Sequence, residues 1–315
     1  MGYSRAERRR VLAAAALGRA PVHSGPDPAD GDPVHAVTGR ILDISPHLII
    51  ISTPAGAEER LVIAPWATAW RDGNIPPADL AAGTTVIIKT LREGRVVDRI
   101  WADITRMTGT ILSIGGRKDL AVELDCGPHQ GRRDVVIPYR TTGRLRVRHP
   151  QLEEGFLFDA IGIREAGTSL ALLPATSQPA YRAQAVPTSP PSYGGMQSRI
   201  SGTATWSDAF DEEEQGAAYP MMERSDTGCT QVGESCADLP YLALGSLLNV
   251  RNVCAGRSSW VPIVACGCMA GLFCDRCVEC GTSSRGRVAE LSKLSFVELG
   301  GELTQGCFNA RVGLG

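Results

Sequence analysis

From residue 36 to about residue 174 the chain alternates apolar and polar positions with a period of two, the pattern of half-buried β-strands separated by turns. In HLIIIST, Ile49 and Ile51 alternate with Ile50 and Ser52, and in GTTVIIK, Val86 and Ile88 alternate with Ile87 and Lys89. The turns PAGAEE and REG separate these strands from their successors. The pattern then runs a second time. MTGTILSI repeats VTGRILDI, with Gly109 answering Gly39, while LAVELDC and RDVVIPY answer LIIIST and RLVIAP, and GFLFDAIGIREAG answers GTTVIIKTLREGR. Units of roughly 70 residues are too long for solenoid turns and suit small closed barrels, which also remove exposed strand edges. The expected barrels cover residues 36–106 and 107–174.

Residues 175–200 are rich in Pro, Ser, Ala and Gly, too poor in apolar residues to fold alone, and read as a linker holding its flanking domains apart. Strands return in 201–315. LALGSLLNVRN and RSSWVPIVACG pair as one strand and its partner, and CFNARVGL supplies the last strand. GRVAELSKLSFVELGG reads as a strand running into a short helix, with Leu291, Leu294 and Val297 three apart on one face.

Two resemblances attach to these patterns. Thr38, Gly39, Ile41, Leu80, Gly83, Val86 and Ile88 resemble the TG.I opening strand and the L..G..V.V segment of small β-barrel modules of unassigned function in bacterial envelope proteins. In the last third, GTATW (202–206), LGSLLNVRN (244–252), GRVAELSKLSFVELG (286–300) and ARV (310–312) resemble the double-psi β-barrel of rare lipoprotein A, expansins and barwin-like proteins. The expected architecture is therefore mainly β: two tandem small β-barrels, a Pro-rich linker, and a C-terminal cysteine-rich double-psi β-barrel over 201–315. That second resemblance implies a six-stranded barrel with a shallow groove for polysaccharide.

The departures from that family bear on chemistry. Its peptidoglycan-cleaving members carry a His ahead of an LP.G turn, where this chain has Asp238–Leu239, and no His follows His149. They also carry an Asp in an NDRGP-like turn, where this chain runs VACGCMAG without an acid. Glycosidic cleavage needs a positioned acid to protonate the leaving oxygen. Glu290 stands where the family commonly has Asp, and its extra methylene would displace the carboxyl. Glu290 as general acid and Asp238 are thus the catalytic candidates, with Asp208, Asp275 and Glu279 as substitutes only if loops fold over the groove. The bland reading of Glu290 is a surface or helix-capping carboxylate. Trp206, Trp260 and Asp208 are the candidates for glycan contact, and core packing is the competing reading of the two tryptophans. Binding of a cell-wall polysaccharide without cleavage is the expectation, against a lytic transglycosylase-like enzyme.

Composition narrows the partners. A net charge of −2 over 315 residues gives no global field toward nucleic acid or anionic lipid. No apolar run approaches the roughly 20 residues that span a bilayer. Residues 1–35 read as a disordered leader or an export signal, since Arg8, Arg9 and Arg10 precede the short apolar run Val11 to Leu17 in a loosely twin-arginine pattern. Nine of the ten cysteines lie from Cys229 onward: Cys229, Cys236, Cys254, Cys266, Cys268, Cys274, Cys277, Cys280 and Cys307. Such density means disulfides or metal. Disulfides, in an envelope or secreted protein without a cofactor, are one reading. The alternative is a cytoplasmic interaction scaffold with structural zinc on Cys266, Cys268, Cys274, Cys277 and Cys280, which form CxC and CxxC steps. Cys126 stands apart and reads as a buried free thiol. Connectivity, glycan identity and oligomeric state stay open at this level.

Overall fold

The computed structural model describes residues 33–187, 200–223 and 235–314. Residues 1–32 of the expected 1–35 leader, the distal half of the proposed linker and Cys229 lie outside them, and His35 already belongs to the first strand. The protein divides into two compact units, residues 1–102 and 103–315.

The first unit is a barrel built from β1 (His35–Ile44), β2 (Leu48–Ser52), β3 (Glu58–Trp70), β4 (Asn74–Ile75), β5 (Thr85–Leu91) and β6 (Val96–Ala102). The strand order is β2–β1–β5–β6–β3, closed by pairing of β2 with β3, with β4 as a two-residue flap on β3. Every pairing is antiparallel except β3 with β6. The alternating isoleucines do what their spacing requires: Ile49, Ile51 and Ile88 point inward with Ile41, Ile63, Val97 and Ile100 to form the core.

The second unit opens on a barrel of the same connectivity. Its strands are β7 (Ile104–Gly115), β8 (Leu120–Asp125), β9 (Arg132–Ile137), β10 (Leu157–Glu165) and β11 (Thr168–Pro174). They close in the order β7–β8–β9–β11–β10, again with one parallel pair, β9 with β11. Strand for strand this matches the first barrel, and both have the five-stranded Greek-key arrangement of OB-fold barrels. The repeat boundary falls earlier than the sequence suggested, since β7 already begins at Ile104. The repeated glycine has a structural reason. A Cβ on Gly39 would meet the Ser52 carbonyl oxygen at 2.7 Å, and one on Gly109 would meet that of Asp125 at 2.7 Å. Both barrels need the opening strand to pass within backbone contact of the second strand. Helix α1 (Tyr139–Arg148) joins β9 to β10, where the sequence pattern showed only strands and turns. Only Thr141 and Leu145 are buried along it, too few to print a helical period. Its first turn is fixed from outside by the Asp119 carboxylate accepting from the Tyr139 amide.

The last barrel comprises β12 (Ile200–Trp206), β13 (Ala217–Tyr219), β14 (Leu247–Asn252), β15 (Ser258–Cys266), β16 (Arg287–Leu291) and β17 (Cys307–Leu314), with short helices α2 (Cys268–Gly271) and α3 (Lys293–Glu298). It closes in the order β12–β16–β13–β15–β14–β17. The parallel pairs are β12 with β16 and β13 with β15, and the rest are antiparallel. Exchanging its first three strands with its last three maps this order onto itself, the internal two-fold connectivity of a double-psi barrel. As the spacing anticipated, a strand runs into a short helix at β16–α3, capped by the Ser292 hydroxyl accepting from the Ser295 amide. Leu291 belongs to the strand, while Leu294 and Val297 are buried from the helix.

The first half of the expected linker is not a spacer. Ala175 and Thr176 are buried, and Tyr181, Ala183 and Val186 pack against Leu157 of the second barrel and Met269, Leu272 and Phe273 of the third. The Tyr181 hydroxyl donates to the Leu272 carbonyl at 2.8 Å and accepts from the Cys274 amide at 2.9 Å. These bonds stitch the second and third barrels into one body.

Candidate functional site

Two places concentrate polar chemistry, and both lie in the second unit. The first is a buried ion cluster where the second and third barrels meet. Arg106 on β7 forks onto Asp159 of β10, its Nε to Oδ1 at 2.8 Å and its Nη2 to Oδ2 at 2.7 Å. Arg287, at the start of β16, reaches Asp159 Oδ2 at 2.6 Å and Asp275 Oδ2 at 2.7 Å through the same Nη2. Its guanidinium lies 3.7 Å from the Phe273 ring centroid. Thr108 and Thr176 also donate to Asp159, at 3.0 and 2.8 Å, and the Asp159 amide donates to His149 Nε2.

Burial works against the Asp159 charge, but the guanidiniums of Arg106 and Arg287 overcome it and hold the carboxyl far below the usual range. Burial pushes the imidazole of His149 down to about 4, so it stays neutral. Glu290 is the third carboxyl of the cluster, 3.4 Å from Arg287 Nη1. Two guanidiniums are already balanced by Asp159 and Asp275, and burial raises the Glu290 carboxyl above its ordinary value, with Arg287 and Arg106 opposing the rise.

This placement corrects the sequence reading of Glu290, which is neither a groove acid nor a surface cap. It is 5% exposed and lines neither the groove beside Trp260 nor the one beside Glu279. A raised carboxyl is the right chemical state for a general acid, but this one is spent on an arginine between two barrels. Asp275 sits in the same cluster, buried against Arg287. Asp238 is exposed on the loop after Cys236 and also lines neither groove. Glu279 lines the smaller groove, at the junction of the second and third barrels, with Arg148, Arg276 and Gln305.

Two glycan candidates also move inward. Trp206 is fully buried, donates its indole N–H to the Leu303 carbonyl at 2.9 Å, and has no face for a sugar. Asp208 is held by Lys293 Nζ at 2.6 Å and accepts from the Thr105 hydroxyl and, at 3.0 Å, from the Arg106 amide. Burial would raise its carboxyl, yet Lys293 keeps it low, so Asp208 is a second latch between the second and third barrels.

The second place is the outer face of β15–β14–β17, where Trp260 stands 52% exposed. Strand alternation sends Leu248 and Val250 of β14 inward and Asn249 and Arg251 outward. Register places Trp260 opposite Asn249 and Asn249 opposite Gly313, whose lack of a side chain leaves room beside the amide. One row along lie Ser258, Arg251 and Arg311. Together these residues line an open groove of about 270 Å³. Asn249, Arg251 and Arg311 were not singled out in the sequence. Their signal was there in part, as polar residues alternating with buried Leu248, Val250, Ala310 and Val312.

The cysteines are distributed around this barrel rather than gathered at a point. Cys254 pairs with Cys280 at a sulfur separation of 2.12 Å, Cys277 with Cys307 at 2.24 Å, and Cys236 with Cys274. Cys266 and Cys268 bring their sulfurs within 2.7 Å on either side of Gly267. The CxxC steps proposed for zinc therefore diverge, with Cys274, Cys277 and Cys280 each bonded to a different segment. Cys126 is free and buried in the core of the second barrel, where burial raises its thiol. No family model matches the chain, and no curated protein matches it as a relative.

Proposed function

We propose that this is an exported cell-envelope protein whose last barrel holds a cell-wall polysaccharide on the Trp260 face without cutting it. The observation that carries the reading is the exposed indole. A tryptophan left half in water on a sheet face, beside an amide, a hydroxyl and guanidiniums, offers an apolar platform for a sugar ring and hydrogen-bonding groups for its hydroxyls. Asn249, Ser258, Arg251 and Arg311 make no side-chain hydrogen bond or ion pair with the described residues, so their bonding capacity faces outward. Disulfide pairing around the barrel supports an oxidising compartment. The burial of Glu290 beside Arg287, and a Trp260 groove lined by no carboxylate, favour binding over cleavage, because the reaction needs an acid within reach of the glycosidic oxygen.

The test is retention of the full-length protein by purified cell-wall sacculi. Wild-type protein is expected to sediment with sacculi at low salt, and Trp260→Ala to lose at least tenfold in retention. Retention that Trp260→Ala leaves unchanged, or no retention at all, defeats the proposal. Release of anhydro-muropeptides by the wild-type protein would overturn the part that denies cleavage.

A further inference from the structure

The groove beside Trp260 carries a charge pattern that a neutral glycan does not explain. Arg251 on β14 and Arg311 on β17 are register partners, directly opposite each other across an antiparallel pair. Both are exposed. Like charges in that position repel and destabilise the sheet. Proteins ordinarily relieve this with a neighbouring acid, and this barrel has none in the row. The row runs Ser201, Arg311, Arg251, Ser258 across four adjacent strands, with a serine at each end. Asp275, Glu290 and Asp208 are all engaged elsewhere, in the buried contacts between the second and third barrels. Two guanidiniums with no ion-pair partner among the described residues, one residue-row from an exposed indole, form a fork for a carboxylate or phosphate next to a stacking platform for a ring.

We propose that the ligand of this face is an anionic glycan, with sugar rings stacked on Trp260 and a carboxylate or phosphate on an adjacent unit held between Arg251 and Arg311. This rests on the glycan-binding reading above and specifies its ligand class. Row spacing supports the pairing of roles. Trp260 and Ser258 are two residues apart on one face of β15, about 7 Å along a strand, which is within the span of one sugar unit and its substituents.

The experiment compares three soluble polymers of matched length against the full-length protein by titration calorimetry: a neutral β-1,4-glucan, a β-1,4-polyuronate and a sugar-phosphate polymer. At low salt, at least one acidic polymer is expected to bind tenfold or more tightly than the neutral one, and the advantage should shrink as salt rises. Which acidic polymer gains identifies carboxylate or phosphate as the recognised group. In Arg251→Gln/Arg311→Gln the acidic polymers should bind no more tightly than the neutral one. Removing the repulsion should also raise the low-salt melting temperature of that variant, a check that its fold is intact and that the arginines are not structural. Equal binding of all three polymers through Trp260, or an acidic preference that survives the double substitution, overturns the anionic assignment and leaves the glycan reading standing. Failure of every polymer to bind, or binding indifferent to Trp260→Ala, removes both.

Discussion

Asp159 is the most heavily bonded of the groups that fasten the second barrel to the third. Its carboxylate receives five donors: Arg106 Nε and Nη2, Arg287 Nη2, and the hydroxyls of Thr108 and Thr176. Asp159→Asn keeps the volume but offers one oxygen where there were two, and turns an N–H toward a guanidinium. Buried Arg106 then loses the carboxylate it pairs with, and buried Arg287 keeps Asp275 but loses one of its two close carboxylates. Breaking a buried ion pair on one side costs roughly 3–5 kcal/mol, because the remaining charge is left desolvated and unpaired. Amide exchange of the full-length protein, followed peptide by peptide, reads this locally. Protection in β10 and β16 is expected to fall by about two to three and a half orders of magnitude, one for each 1.4 kcal/mol. Strands β1–β6 belong to the other unit and should keep their protection. The internal comparison is Glu58→Gln, which removes the 3.0 Å pair with Arg60, 69% and 50% exposed, and should cost at most about 1 kcal/mol. A loss of less than tenfold at β10 and β16 in Asp159→Asn would refute the account of the cluster as the fastening of the second unit.

Other consequences follow from the same contacts. His149 is held down at about 4 against an ordinary 6.5, so between those values the unfolded chain binds the extra proton, and stability contributed by the neutral imidazole is complete above about pH 6.5 and lost as pH falls toward 4. At 1.36 kcal/mol per unit this is roughly 3 kcal/mol, and since the raised Glu290 works in the opposite direction, it is read as the difference between wild type and His149→Gln in denaturant titrations across pH 4–7. Cys277 and Cys307 are 30 residues apart, so Cys277→Ser/Cys307→Ser should destabilise the third barrel by roughly 3–4 kcal/mol by the loop-closure relation, measurable as a lower denaturant midpoint under non-reducing conditions. Gly109→Ala forces a methyl to 2.7 Å from the Asp125 carbonyl oxygen and should cost about 1–3 kcal/mol, seen as weakened exchange protection in β7 and β8.

Much of the architecture was legible because strands in small barrels bury one face, and the period of two survives in the sequence. Ile49, Ile51, Val86 and Ile88 showed it, and the two TG segments marked the duplication. What stayed hidden depended on partners far away in the chain. Trp206 and Trp260 both read as strand residues, but β12 is buried on nearly all its length, so its phase says nothing about which face meets water, whereas on β15 the exposed Trp260 stands directly beside the buried Val261. The opposition of Arg251 and Arg311 exists only through the β14–β17 register, across 60 residues. The ion cluster draws Arg106, Asp159, Asp275 and Arg287 from four separate segments, and no local spacing foretells that. Glu290 was found in the sequence for its position and misread for its role, because burial is a property of the assembled second and third barrels.

The two OB-type barrels share a topology yet differ at the point that matters. Thr38 faces Ile87 across β1 and β5, and the equivalent Thr108 faces Asp159 across β7 and β10. Three residues before the shared glycine the first barrel has Ala36 and the second has Arg106. The hydroxyl of Thr108 donates to Asp159, while the hydroxyl of Thr38 is buried with no hydrogen-bond partner among the described residues. The first barrel thus keeps the threonine without the carboxylate that would use it. A buried Arg–Asp pair contributes little net stability to the barrel that contains it, since desolvation offsets the attraction. Its value in the second copy is the binding capacity left over: Asp159 still accepts from Arg287, and Arg106 still donates to the Gly306 carbonyl at 2.6 Å, both in the third barrel. The same scaffold is therefore closed on itself in one copy and equipped in the other to carry the disulfide-braced barrel. The Trp260 face lies on β14, β15 and β17, away from Asp159, Asp275 and Glu290, so the charges that fix the third barrel in place do not compete with the arginines that face solvent.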